Sequence, residues 1–473
     1  MKHFRFILIA LFTVCCFLPQ SSEAKTKQAK YVFYFIGDGM GVNQVNGTQM
    51  YLSEKEGKIG IVPLLFTQFP VSSMVNTYAA SNSVTCSAAA GTAMASGFKT
   101  SGGTIGMDAD HKNSLESIAE KAKKAGKKVG IATNVSIDHA TPATFYAHQS
   151  TRKKTYEIGT DLAKSGFDFF AGSGFIKLTD KNNPKAPNLI TLIGDAGYTF
   201  AKGYDDFNAK SASSSKIVLT PKDEIHPTCM PYAIDYQEND LTLPQIAECA
   251  INFLSKNSPK GFFLMLEGGK IDWACHANDG CTAFRDVIDF DKAIKVAYDF
   301  YLKHADETLL IVTADHETGG IILGGTREYK TDFAKLANQR CSQEALTAKI
   351  QELKQENDYK VTWEKVRELL KTNLGFWDTV QLTPEQEQLL KEEYNRSFVQ
   401  RNGEMSKSLY ASDEPIGALA IKILNKIALL HWGSHNHTAG YVPIYAIGVG
   451  AEAFNGALDN TDIPKRIAKI AGY

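Results

Sequence analysis

The chain has 473 residues, of which 44% are hydrophobic and 22% charged, and its formal net charge is −1. A chain of this length and composition can bury a large core. The balanced charge leaves no basic excess for nucleic acid and none for an anionic membrane surface, so neither is an expected partner.

The N-terminus runs from basic to apolar to small residues: Lys2 and Arg5, then Phe6 to Leu18, then Ser21, Ser22 and Ala24. This pattern reads as a signal peptide over residues 1–24, which directs residues 25–473 to the periplasm or the extracellular space. The apolar run is too short to span a bilayer, so no transmembrane segment is expected after its removal. Of the eight cysteines, Cys15 and Cys16 lie in this segment. Cys86, Cys229, Cys249, Cys275, Cys281 and Cys341 remain. Export would permit pairing among them, and their spacing is not that of a zinc ribbon.

Tyr31–Ile36 reads as a buried strand that enters the turn Gly37-Asp38-Gly39-Met40-Gly41. Asp38 is the only charge there. Without a Walker lysine the turn is a weak phosphate loop, and Asp38 is better read as a metal ligand at a strand end. A strand over Val71–Tyr78 follows. The small-residue run after Val84 reads as a helix packed closely on a sheet, with Ser87 near its start. A hydroxyl there can cap the helix or act as a nucleophile toward an anion at the helix end.

A helix over Ser114–Ala125 and a strand over Lys128–Thr133 precede Asp138, His139 and Thr141. Thr141 offers a hydroxyl for a hard cation. Arg152 offers a planar fork that suits two phosphate oxygens. After a helix at Tyr156–Lys164, residues 174–231 are rich in Lys, Asp, Ser, Asn and Pro without a strong period, and read as an insertion.

The strand Gly261–Leu266 stops at a carboxylate, Glu267. Asp272 and His276 are four residues apart, so a short helix places them on one face as half of a zinc site. A long helix over Thr282–Lys303 leads to the strand Thr308–Thr313, beyond which Asp315 and His316 stand side by side. In open α/β sheets ligands bind at this carboxyl edge. Residues 329–430 form a second, charged and helical insertion, with one helix expected over Gln343–Thr372. His431, His435 and His437 then cluster before a strand at Val442–Val449, although the chain has only 11 histidines. At least one of the three is an expected metal ligand.

Strands alternating with helices call for a mostly parallel sheet covered on both faces, in a single domain interrupted at about 174–231 and 329–430. The carboxylates and histidines at the strand ends suffice for two zinc ions and one oxygen-preferring ion. Two metals a few ångströms apart clamp the attacking and leaving oxygens of a phosphoryl displacement.

Taken in order, Gly37-Asp38-Gly39-Met40-Gly41, Thr85-Cys86-Ser87-Ala88-Ala89, Ala140-Thr141-Pro142-Ala143, Glu267-Gly268-Gly269-Lys270-Ile271-Asp272, Thr313-Ala314-Asp315-His316 and His437-Thr438 resemble the alkaline phosphatase family. The resemblance spans Tyr31 to Gly450 outside the insertions. It implies a three-layer α/β/α sandwich, often a homodimer, that hydrolyses phosphate monoesters outside the cytoplasm. Ser87 would form a phosphoserine and Arg152 would hold two phosphate oxygens. Asp272, His276 and His437 would bind one zinc ion; Asp38, Asp315 and His316 the second. Asp38, Thr141 and Glu267 would share a magnesium ion.

Two positions depart from the family pattern. Cys86 stands where many members carry an aspartate that orients the arginine, which would leave Arg152 freer. His139 stands where some bacterial members place an aspartate near magnesium. With Trp273 nearby, this implies a less anionic third site and weaker magnesium retention. The competing readings are a metallo-phosphodiesterase, which does not need Arg152, and a non-catalytic phosphate-binding surface protein. The sulfatase signature is absent, since Cys86 is followed by Ser87-Ala88-Ala89-Ala90.

Overall fold

The central strand of the molecule, Tyr31–Gly37 (β1), is buried at every residue. Strands buried on both faces need apolar side chains at odd and even positions alike, and its sequence YVFYFIG supplies them. On one face Phe33 and Phe35 pack edge-on against Phe300 and Phe290 of the helix Gly280–Lys303. On the other, Tyr34 meets Phe145. This alternation makes the three layers.

The structure is a computed structural model that describes residues 27–223, 228–325 and 327–473. The signal peptide expected over residues 1–24 lies outside them. Ten strands among the described residues form the main sheet. After β1 they are Val71–Asn76 (β2), Lys128–Thr133 (β3), Phe169–Ala171 (β4), Tyr198–Lys202 (β5), Lys216–Thr220 (β6), Phe262–Gly268 (β7), Thr308–Thr313 (β8), Val442–Gly448 (β9) and Ala457–Asp459 (β10). Their order is β10-β2-β9-β8-β1-β7-β3-β4-β6-β5. Only β9 runs against its neighbours, β8 and β2.

The segment 174–231 is more than a surface excursion, because β5 and β6 extend the sheet from within it. Both strands are only five residues long, and runs that short carry little period. The single helix expected over Gln343–Thr372 is broken in two. Gln343–Glu356 ends, Asp358 and Tyr359 take left-handed backbone angles, and Trp363–Leu374 begins after Thr362. The helical segment 329–430 packs Leu346, Val366, Leu370, Leu390 and Leu424 into a second apolar cluster, which it shares with Tyr51, Cys281, Phe284 and Ile321. None of the six described cysteines is bonded to another. No helix among the described residues is long and apolar enough to cross a membrane.

Register sets where the chemistry lies. Ile36 of β1 stands opposite both Glu267 of β7 and Thr313 of β8, and Thr133 of β3 stands opposite Glu267. The parallel strands therefore end together. Because β9 is antiparallel, the residues that precede it arrive at this same edge.

Candidate active site

Each strand end delivers a polar side chain to the carboxyl edge. Asp38 follows β1, Glu267 is part of β7, and Asp315 and His316 follow β8. The helix Lys270–His276 sets Asp272 and His276 one turn apart, with Oδ2 and Nε2 3.3 Å from each other. Before β9, His437 and Thr438 pair with Thr318 and Glu317. Glu317 accepts hydrogen bonds from Gln44 at 2.7 Å and from the Thr438 hydroxyl, which ties the two segments together. Asp38, Ser87, Thr141, Glu267, Asp272, His276, Asp315 and His316 are all almost fully buried.

Ser87 is the first residue of the helix Ser87–Ser96, not its cap. Cys86 occupies the N-cap position and makes no side-chain cap bond. The Ser87 hydroxyl faces inward, 3.3 Å from His316 Nε2. His316 Nε2 also lies 3.2 Å from Asp315 Oδ2 and 3.5 Å from Asp38 Oδ1.

The histidines are oriented through their far nitrogens. His276 Nδ1 meets the His435 carbonyl at 2.5 Å, and His437 Nδ1 meets that of Thr85 at 2.9 Å. A carbonyl can only accept, so both Nδ1 atoms carry protons and both Nε2 atoms point into the cluster. The two Nε2 atoms are 3.1 Å apart. Only a proton or a metal ion can join them at that distance.

The carboxylates make the same demand. Asp38 Oδ1, Glu267 Oε1, Asp272 Oδ2 and Asp315 Oδ2 are buried without a hydrogen bond. Burial raises Asp38 and Asp315 above the ordinary carboxylate range, and the neighbouring negative charges add to it. Burial also raises Glu267. Burial would raise Asp272 too, but the imidazoles of His276, His437 and His316 together outweigh it and lower this carboxyl, and His276 is raised in return. Orphaned carboxylate oxygens and inward-facing imidazole nitrogens in one buried place are what divalent cations satisfy. Three groups have donor atoms close enough to share an ion: Asp272, His316 and His437; Asp38, Asp315 and His316; and Asp38, His139 and Glu267. His276 adjoins the first group through its contacts with Asp272 and His437.

The third group is framed by two hydroxyls. Thr141 donates to Asp38 Oδ2 at 3.3 Å, and Thr133 donates to Glu267. Its imidazole, His139, has a second contact: Nε2 is 2.9 Å from Arg152 Nη2. The guanidinium also reaches the Tyr410 hydroxyl at 3.4 Å through the same Nη2. Arg152 is therefore held by His139 and Tyr410 rather than left loose. Cys86 makes no hydrogen bond to it among the described residues; its sulfur accepts from the Gly103 amide at 3.2 Å.

Of the other two histidines near the C-terminus, His435 turns its ring away, with Nδ1 2.9 Å from the His276 carbonyl. His431 sits in a two-stranded ribbon opposite Ile322. Thr133, Thr318 and Tyr410 were not singled out from the sequence. Thr133 and Thr318 lie beside motif residues, so adjacency was a usable signal. Tyr410 has no motif around it.

A family model described as alkaline phosphatase matches residues 29–168 and 179–473. Alkaline phosphatase 3 of Bacillus subtilis (strain 168) is 31% identical over 469 residues, covering 96% of this chain and 93% of the relative. The crystal structure of a cold-active alkaline phosphatase from a psychrophilic Shewanella species is 27% identical, with a TM-score of 0.77 over 93% of this chain and 99% of that one. An alkaline phosphatase from the Antarctic bacterium TAB5 is 26% identical with a TM-score of 0.66, covering 95% and 99% of the two chains. A histidine-to-aspartate mutant of that enzyme is described with Mg bound in its M3 site.

Proposed function

We propose, because the chain belongs to the alkaline phosphatase family, that this phosphatase hydrolyses phosphate monoesters through a phosphoserine on Ser87. The observation that carries this reading is the Ser87 hydroxyl at the start of its helix, 3.3 Å from His316 Nε2. There it faces the donor groups that fit metal ions, and the helix amides favour an anion. Arg152 holds two non-bridging oxygens through Nε and Nη1, which make no protein hydrogen bond among the described residues while Nη2 is engaged. In the first step the bond from phosphorus to Ser87 Oγ forms as the bond to the alcohol oxygen breaks, and the alcohol leaves with a proton. In the second, water attacks phosphorus, the bond to Oγ breaks, and inorganic phosphate is released.

Two zinc ions and one magnesium ion fit the donor sets. Asp272, His276 and His437 would hold the first zinc, and Asp38, Asp315 and His316 the second. When bound, these ions neutralise phosphate charge and lower the pKa of the oxygen that attacks. Asp38, Thr141 and Glu267 would hold magnesium, with His139 beside them. Magnesium prefers oxygen ligands, so His139 makes this site a weak one for it. A single exported catalytic domain completes the reading.

The test is phosphate release from an aryl monoester at alkaline pH, with zinc and magnesium present. Ser87→Ala is expected to cost at least ~1,000-fold in rate. Equal rates in the two proteins would remove Ser87 as the nucleophile. A diester of the same phenol should turn over far more slowly than the monoester, because it cannot present the same oxygens to Arg152.

A further inference from the structure

Tyr410 lies far from every motif in the chain, within the helical segment 329–430. It is carried on a tight hairpin, where Ser406–Lys407 pairs with Ser412–Asp413 and the Ser408 amide bonds the Ala411 carbonyl at 2.9 Å. The hairpin's far strand is braced. Asp413 accepts from Gln343 at 2.7 Å and from Thr347 at 3.2 Å, and Glu414 pairs with Lys354 at 2.6 Å. A braced hairpin holds its corner residue in one place.

That place is over the catalytic cluster. The Tyr410 ring stacks on Trp273 at 4.3 Å with 7° between planes. Its edge contacts are His139 at 5.7 Å and His276 at 5.4 Å. Trp273 is itself backed by the buried Lys270 ammonium, 4.8 Å from its ring, which is a cation–π contact. The hydroxyl of Tyr410 then meets Arg152 Nη2 at 3.4 Å. Because it accepts from Arg152, its own proton is free to donate to an oxygen held by the guanidinium.

We infer that Tyr410 is the positioning residue of the phosphate clamp, supplying from the 329–430 segment the hold on Arg152 that a carboxylate at position 86 cannot supply here. The inference rests on the reading of Arg152 as the phosphate-binding arginine. Its ring roofs the site, and its hydroxyl fixes the plane of the guanidinium so that Nε and Nη1 face substrate.

Tyr410→Phe separates the two roles, since it keeps the stacked ring and removes only the hydroxyl. Inorganic phosphate serves as the probe, both as a competitive inhibitor and, by calorimetry, as a ligand of Ser87→Ala protein. The expected result is a ~3–10-fold rise in KM and in the phosphate inhibition constant, with kcat changing less than either. Melting temperature and zinc content should match wild type. In an Arg152→Ala background, Tyr410→Phe should add nothing, because its partner is gone. Unchanged phosphate affinity in Tyr410→Phe, or the same loss in both backgrounds, would overturn the inference. Failure of the underlying reading is distinguishable, because Arg152→Ala alone would then leave phosphate affinity at its wild-type value.

Discussion

Thr318 donates its only hydroxyl proton to Asp272, with Oγ1 2.5 Å from Oδ1. It can therefore only accept from His316, whose Nδ1 lies 3.2 Å away. One hydroxyl thus orients a ligand of each proposed zinc ion and sets the His316 tautomer that turns Nε2 toward Ser87. Thr318→Val keeps the shape and removes both bonds. Zinc affinity, measured by competition with a chelator, is expected to fall ~10–100-fold. Unchanged affinity would show that packing alone orients the two side chains.

The three C-terminal histidines should separate cleanly. His437→Ala removes an inward-facing Nε2 and should cost bound zinc and nearly all turnover. His435→Ala should leave most of both, because the His276 imidazole is held by the His435 carbonyl, which alanine keeps, while the His435 ring meets the main-chain carbonyl of His276 and not its imidazole. Metal analysis of the two purified variants checks this.

Gly39 lies at φ +71°, and a Cβ there would be 2.8 Å from Asp272 Oδ1 and 2.9 Å from its Cα. Left-handed backbone costs a residue with a side chain about 1–2 kcal/mol, and the contact with Asp272 adds to it. Gly39→Ala should lower the melting temperature and weaken zinc binding together. A variant that melts as wild type does would show that the β1 turn can shift.

Metal binding should release protons, and the pH dependence has a definite sign. Burial raises Asp38, Asp315 and Glu267, and Asp272 raises His276 against its burial. In metal-free protein these groups hold protons above their ordinary ranges, and ligation requires them to give those protons up. Calorimetry of zinc binding in buffers of different ionisation enthalpy should find proton release near neutral pH. The release should shrink as pH rises and the groups lose their protons unaided. Release that grows with pH would contradict the assignment of these ligands.

Much of the fold could be read because its central strands are buried on both faces. β1, β7 and β8 are continuous apolar runs, and each ends at or next to a carboxylate, so fold and site were visible in the same stretches. β4, β5, β6 and β10 were missed. They have three to five residues each, too few for a period, and two of them lie in a segment of polar composition. The Asp272 and His276 pair was legible from its four-residue spacing. Tyr410 was not, because its importance exists only once the hairpin is folded over Trp273. The hold on Arg152 was likewise invisible, since it depends on His139 and Tyr410 meeting one guanidinium nitrogen.

The sheet order also sets a timetable. β2 has two neighbours in the sheet, β9 and β10, and both come from the last stretch of the chain. The helix that begins with Ser87 follows β2, and His437 immediately precedes β9. As the polypeptide emerges from a ribosome, β2 has nothing to pair with until residues beyond 442 are made. The strand that leads to the Ser87 helix thus waits for the C-terminus, and His437 of the proposed metal site is made just as late. A nascent chain short of residue 442 therefore lacks the strands that flank β2, so the proposed centre cannot be completed until the last stretch of the chain has been made.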